Sequence, residues 1–223
     1  MPSSPPPLAP LSPAALSEAS AVTIGHYDRS ARSFWEGTRD HDVSQNLDAL
    51  LRNLGDGGPH RILDFGCGPG RDLIAFQARG HLPTGLEGSA EFVRMARAHS
   101  GCEVFHQDFL HLDLPRHHFD GVFANASLFH VPSQELPGVL CALYLTLKPG
   151  GVLFSSNPRG ADVEGWNGDR YGAFLCLSTY RRYVESAGFV ELEHYYRPPG
   201  RPRAEQPWLA SVWRKGTKGT AVE

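Results

Sequence analysis

The chain has 223 residues, of which 41% are hydrophobic and 20% charged, with a net charge of −3. That is enough to bury a sizeable core in one globular domain. The slightly acidic balance supplies no overall basic field for nucleic acid or an anionic membrane surface, so neither partner is expected.

Cys67, Cys102, Cys141 and Cys176 are widely spaced, with no Cys-x-x-Cys pair. That spacing suggests neither a zinc site nor a disulfide framework, and reduced thiols in a cytoplasmic protein are the expectation. The opening "MPSSPPPLAPLSPAALSEAS" lacks a positive start and an unbroken apolar run, so it does not read as a signal peptide. Residues 1–22 are expected to be a disordered Pro/Ser/Ala-rich arm. Residues 23–57 read as an N-terminal helical lid, 58–215 as the main domain and 216–223 as a flexible tail. No run is apolar enough to span a bilayer. Nothing in the sequence addresses the oligomeric state.

In the lid, Val43, Leu47, Leu50, Leu51 and Leu54 recur at helical spacing. "GDGGP" at 55–59 ends that helix. Strand-like and helix-like segments then alternate. Strands are predicted at 61–65, 82–87, 103–106, 119–124 and 151–156, with helices near 70–79, 89–99 and 133–147. That alternation implies a mostly parallel sheet covered on both faces. A further helical pattern follows 178. It leads to strands at 189–196 and 207–213, joined by "RPPGRPRAEQ". This link is too short for a crossover helix, so the last two strands pair antiparallel. The predicted fold is α/β: a single doubly wound Rossmann-like domain with a mostly parallel seven-stranded sheet and an antiparallel C-terminal strand pair.

The first strand runs into "RILDFGCGPGRDL". In such a sheet the ligand sits at the carboxyl ends of the first strands, where Gly66, Gly68 and Gly70 bare the backbone. A dinucleotide fingerprint needs its third glycine at 71, which is Arg. A phosphate loop needs Gly-Lys-Ser/Thr, which is absent.

The Asp-x-Gly-x-Gly-x-Gly pattern resembles the first motif of the class I S-adenosylmethionine-dependent methyltransferases. "GLEGSAEFVRMAR", "HQDFLHLDL", "FDGVFANASLFHVP" and "LKPGGVLFSSNPRG" resemble the second to fifth, in order. The resemblance covers roughly residues 25–213 and implies S-adenosyl-L-methionine as cofactor and S-adenosyl-L-homocysteine as product. By that resemblance, Asp64 organises the amino-acid end of the cofactor. The turn Gly66, Cys67, Gly68, Gly70 and Arg71 underlies its methionine and ribose, and Glu87 accepts from the ribose hydroxyls. Gly88 and Ser89 lie beside the adenosine, Asp108 accepts from the adenine amine, and Phe109 or Leu86 faces the ring. Asn125 and Ala126 border the methionine. The alternatives for Asp64 and Glu87 are a helix-capping acid and a solvated strand end, and Cys67 suits the turn as a small packing residue.

The acceptor is expected under the lid and the insertions after strands four and five. Catalytic candidates are His130, His41 and Tyr27. His130 would serve as a general base, with a helix-start histidine as its alternative. Substrate-binding candidates are Trp35, Arg39, Asn157, Arg159 and Tyr171, with Trp166 and Arg170 in the same insertion. Residues 157–174 read as a mobile loop. Core packing is the alternative for Tyr27 and Trp35, and a solvated face for the arginines. The remaining nine histidines show no metal-site spacing.

A small-molecule methyl acceptor fits the compact, acidic chain best. A methyltransferase acting on a macromolecule and a non-catalytic cofactor-binding module are the alternatives. Basic "RPPGRPR" and "RKGTK" keep the first open, but no recognition domain accompanies them.

Overall fold

The computed structural model describes residues 8–216. Most of the expected tail therefore lies outside the described residues, as does the arm before Leu8.

Helix α1, Pro13–Thr38, has 26 residues. Ser12 caps it by accepting from the Ala15 N–H at 3.2 Å, and Pro13 occupies the first turn, where its missing N–H costs nothing. The arm expected over 1–22 is thus helical from Pro13, so the helical cover begins ten residues earlier than predicted. Proline-rich composition reads as a solvated arm, yet Ser-Pro is also a helix start. The residues before the helix are held as well. Leu8 N–H donates to Ser133 Oγ at 2.8 Å and Ala9 N–H to Glu164 Oε1 at 2.9 Å. Helix α2, Ser44–Leu54, buries Leu47, Ala49 and Leu50.

The main sheet contains β1 (Arg61–Phe65), β2 (Leu82–Glu87), β3 (Val104–His106), β4 (Phe119–Asn125), β5 (Leu147–Pro158), β8 (Phe189–Arg197) and β9 (Trp208–Lys215). Their order is β3-β2-β1-β4-β5-β9-β8. The first five are parallel, while β9 runs antiparallel between β5 and β8. Helices α3 (Arg71–Ala78), α4 (Ala90–Ser100), α5 (Leu136–Thr146) and α6 (Leu177–Ser186) cover the faces.

Alternate residues of the central strands feed the two cores. Leu63, Phe65, Val122, Ala124 and Leu153 pack with Leu140 and Leu143 of α5, Tyr180 and Tyr183 of α6, and Trp213. Ile62, Phe123 and Phe154 pack with Phe76 of α3 and Leu47 and Leu50 of α2. Both faces are buried, which explains the near-continuous apolar runs. Strand order reverses between β1 and β4, so their carboxyl ends splay apart into a crevice.

The insertion expected as a mobile loop is a hairpin. Strand β6 (Val163–Asn167) pairs antiparallel with β7 (Arg170–Phe174) through a two-residue Gly168–Asp169 turn. Its glycines and acids are hairpin-turn chemistry, which composition alone does not separate from a loop. No described helix is long and apolar enough to cross a membrane.

Candidate active site

A cavity of about 650 Å³ opens at the carboxyl ends of β1 and β4, under α1. That lies within the ~300–1,000 Å³ usual for small-molecule sites.

The three glycines of the turn are required for three different reasons. Gly66 (φ 79°) has no room: a Cβ there would lie 2.5 Å from Ser127 Cβ. The Ser127 hydroxyl holds that approach by donating to the Phe65 carbonyl at 2.6 Å. Gly70 (φ 96°) lets α4 pack close, since its Cβ would meet Ala96 Cα at 2.9 Å. Gly68 (φ 52°) faces the cavity, and a Cβ there would meet only the Phe34 ring at 3.9 Å. Ala126, also on the wall, holds a positive φ of 62° without being glycine, a strained geometry that recurs at functional sites.

Glu87 ties the turn to the next strand. Its Oε2 accepts from Gly68 N–H at 3.0 Å, and its Oε1 from Gly88 and Ser89 N–H at 2.8 and 2.9 Å. Burial pushes its pKa up and the three N–H donors pull it back. A carboxylate has about four acceptor positions. With three taken, Glu87 has room for one further donor, on Oε2, rather than the two ribose hydroxyls the sequence suggests.

Asp64 does not border the cavity. It lies beneath the turn, 1% exposed, and its Oδ2 has no hydrogen-bond partner. Burial foremost, then the Asp72 carboxylate, pushes its pKa well up. Its neighbour Asp72 lines the cavity instead. Arg71 pairs with it at 2.7 and 2.9 Å and also donates to the Thr38 carbonyl at 3.0 Å, joining α3 to the end of α1. Asn125 donates to Asp72 at 3.3 Å and accepts from Asn46 at 2.9 Å. Asp108 accepts from the Ser20 hydroxyl at 2.7 Å and the Leu110 N–H at 2.9 Å. Phe109 stacks on Phe65 with centroids 4.3 Å apart. Phe109 lines the cavity, whereas Leu86 is in the core.

Tyr27, from α1, meets His130, from a 3-10 turn after β4. Their Oη···Nε2 distance is 2.8 Å, and His130 Nδ1 lies 2.8 Å from the Tyr171 carbonyl. A carbonyl only accepts, so Nδ1 carries the proton and Nε2 accepts from the phenol. Burial foremost, with Arg170 and His26 adding to it, lowers the His130 pKa to about 4. Burial raises that of Tyr27 against the nearby Arg170 guanidinium. The Tyr171 N–H donates to Thr23 Oγ1 at 2.9 Å, so α1 and β7 are bonded beside this pair.

Of the residues singled out from sequence, Tyr27, Trp35, His41, Gly66, Cys67, Gly68, Arg71, Glu87, Gly88, Asp108, Phe109, Asn125, Ala126, His130 and Arg170 line the cavity. Gly70 packs on α4, and Ser89 caps α4 while donating to Asp28 at 2.6 Å. Arg39 is exposed beside Asp40. Asn157 accepts from the Phe129 N–H, and Arg159 is spent on the Gln206 and Arg203 carbonyls. Tyr171 is buried, and burial raises its phenol to about 12. Apart from Arg39, these residues and Asp64 lie behind the cavity wall and not on it. Trp166 stands exposed on the hairpin, against Tyr171. The wall residues missing from the sequence reading include Ser20, Thr23, Asp72, Arg197 and Trp208. Ser20 fell inside the supposed arm, and Arg197 and Trp208 come from strands far along the chain. Burial pushes the Cys67 thiol well up, which makes it a poor nucleophile. No cluster of metal-ligating residues occurs among the described residues.

The Methyltransferase domain family matches residues 62–151. A ubiquinone biosynthesis O-methyltransferase from Aromatoleum aromaticum is 30% identical over 201 residues, 84% of this chain and 85% of that enzyme. The chain belongs to the class I S-adenosylmethionine-dependent methyltransferases. A 24-methylenesterol C-methyltransferase from Oryza sativa subsp. japonica is 34% identical over 132 residues, 56% of this chain. The chain spans only 34% of that relative, and 60% of a similar ubiquinone enzyme from Alkalilimnicola ehrlichii. In fold, it is similar to the 1,6-didemethyltoxoflavin-N1-methyltransferase of Burkholderia thailandensis, with TM-score 0.77, 23% identity and coverage of 94% and 93% of the two chains. That structure holds S-adenosylhomocysteine and 1,6-didemethyltoxoflavin.

The site's own chemistry fits this family's cofactor. Glu87 and Asp108 stand beside the turn, where Arg71 already offsets Asp72. That field opposes a pyrophosphate and suits a sulfonium and an ammonium group. The bare Gly68 backbone leaves a surface that a methyl group would fill.

Proposed function

We propose that this chain transfers a methyl group from S-adenosyl-L-methionine to a nucleophilic atom of a small-molecule acceptor. The observation that carries this reading is the Glu87–Gly68 clasp over a glycine turn that opens on the cavity. The bound cofactor supplies an electrophilic methyl on a sulfonium, whose departure leaves a neutral thioether.

Gly66, Cys67 and Gly68 would floor the cofactor, and Glu87 would accept from one ribose hydroxyl through Oε2. Asp108 and Phe109 would meet the adenine, and Asn125, Ala126 and Asp72 the amino-acid end. The protein's own contribution is alignment and exclusion of water, worth about 7–11 kcal/mol in favourable cases. Tyr27 and His130 would take the acceptor's proton where it has one. The phenol would take that proton as it passes its own to Nε2, the acceptor nitrogen it already bonds.

The reading of a small, cytoplasmic-type enzyme without nucleic acid rests on the acidic net charge and four free cysteines. Calorimetry with S-adenosylhomocysteine, followed by turnover of S-adenosylmethionine against an acceptor panel, tests the proposal. Micromolar binding with product release is expected. No binding at millimolar concentration refutes the cofactor, and binding without turnover on any acceptor makes the chain a binding module.

A further inference from the structure

Every acid on the cavity wall is already partnered. Asp72 pairs with Arg71, Glu87 accepts from three backbone N–H groups, Asp108 from Ser20 and Leu110, and Asp42 from the Ser44 N–H. The basic side is not closed in the same way. Arg170, at the start of β7, and Arg197, at the end of β8, both line this cavity. The Nε of each is buried without a hydrogen-bond partner. Neither guanidinium takes part in any ion pair among the described residues. Arg197 is partly occupied, donating to the Asp42 carbonyl at 3.1 Å.

Arg170 is in hydrogen-bonding reach of the Tyr27 hydroxyl, next to His130, so it too is partly occupied. It comes from the hairpin inserted after β5, away from the glycine turn in the chain. An arginine with its Nε–H unpaired presents the edge where Nε–H and one Nη–H point the same way, which matches two oxygens of one oxyanion. The same cavity also has apolar walls, among them Phe129, Pro198, Pro199 and Trp208. Such a cation, half-buried with its Nε shielded from water and no ion-pair partner, is a site for a ligand's charge.

Building on the methyltransferase reading, we propose that the acceptor carries an oxyanion, a carboxylate or phosphate monoester on an otherwise apolar body, and that Arg170 holds it. Binding there sets the charged end at the hairpin and turns the rest of the molecule toward Tyr27 and His130. Neutralising Arg170 also removes one of the charges that keep His130 from taking a proton.

The test uses the full chain saturated with S-adenosylhomocysteine, titrated by calorimetry with paired probes. Hydroxybenzoates and hydroxyalkanoates are set beside their carboxamides, and aryl phosphates beside the parent phenols. At least one anion is expected to bind tenfold or more tightly than its neutral partner, and the pair that shows it separates carboxylate from phosphate. Arg170→Gln is expected to erase that preference and leave S-adenosylhomocysteine affinity within twofold. Arg170→Lys, which keeps the charge without the fork, retains part of it and shows that the loss is not unfolding. Equal binding of every pair overturns the proposal. So does a preference that survives Arg170→Gln and vanishes in Arg197→Gln. If Arg170→Gln weakens S-adenosylhomocysteine itself tenfold, the guanidinium serves the cofactor's carboxylate and the inference fails. Absence of S-adenosylhomocysteine binding by the wild-type chain would instead bring down the cofactor reading, and this one with it.

Discussion

Tyr27 and His130 are 103 residues apart in the chain, yet the phenol donates to the imidazole across 2.8 Å. With Nδ1–H given to the Tyr171 carbonyl, the ring is held neutral on both sides. Its pKa, lowered to about 4 from 6.5, has a consequence for stability. Below about pH 6.5 the unfolded chain protonates this histidine while the folded one does not, so stability falls with pH until about pH 4. His130 is half-buried, and solvent screening reduces the effect to about 2 kcal/mol. Urea unfolding at pH 7 and pH 4.5 is expected to show His130→Gln losing less stability on acidification than wild type, by about that amount. Equal losses would mean the ring protonates freely in the folded state.

Asp64 works in the opposite direction. Its folded pKa is raised, so an ionised Asp64 costs folding energy that appears above the unfolded value near 3.8 and grows until the folded pKa is passed. Asp64→Asn removes the charge and keeps the shape. Its melting temperature is expected to exceed that of wild type at pH 8, with the gap closing toward pH 4. A lower melting temperature at every pH would show that the buried carboxylate is held by contacts its replacement loses.

The glycines separate fold from site. Gly68→Ala places a methyl in open cavity at φ 52°, costing about 1 kcal/mol of backbone strain. The protein is expected to fold and to bind S-adenosylhomocysteine at least tenfold more weakly. Gly66→Ala sets a Cβ 2.5 Å from Ser127, and thermal unfolding is expected to show a loss of several degrees or failure to fold. If Gly68→Ala binds normally, the bare backbone is not the cofactor's floor.

Much of this was legible in the sequence because it is local. The runs 61–65 and 82–87 became strands at those bounds, each bracketed by turn residues and buried toward its carboxyl end. The glycine turn, Glu87 and Asp108 lie within a few residues of strand ends and could be placed by counting. What escaped depended on distance. That Asp64 would lie beneath the turn while Asp72 lines the cavity follows from where α3 sets its first residues. Arg197 and Trp208 reach the wall only because β9 inserts between β5 and β8. That the Glu87 carboxylate also accepts three backbone N–H bonds inside its own loop is something no spacing reveals.

Those loop bonds lead to a sharp test of Glu87. Gln has nearly the same shape but one carbonyl oxygen and one NH₂ group. In either orientation the NH₂ faces a backbone N–H: that of Gly68, or those of Gly88 and Ser89. At least one bond is lost and two donors are opposed in a buried space, which typically costs about 1–3 kcal/mol. The clasp between β2 and the turn is then loosened, and with it the floor beneath the ribose. Glu87→Gln is therefore expected to lower the melting temperature and to weaken S-adenosylhomocysteine binding at least tenfold, about 1.4 kcal/mol. A stability loss with unchanged calorimetric affinity would make Glu87 a structural clasp only. Unchanged values of both would remove it from the site.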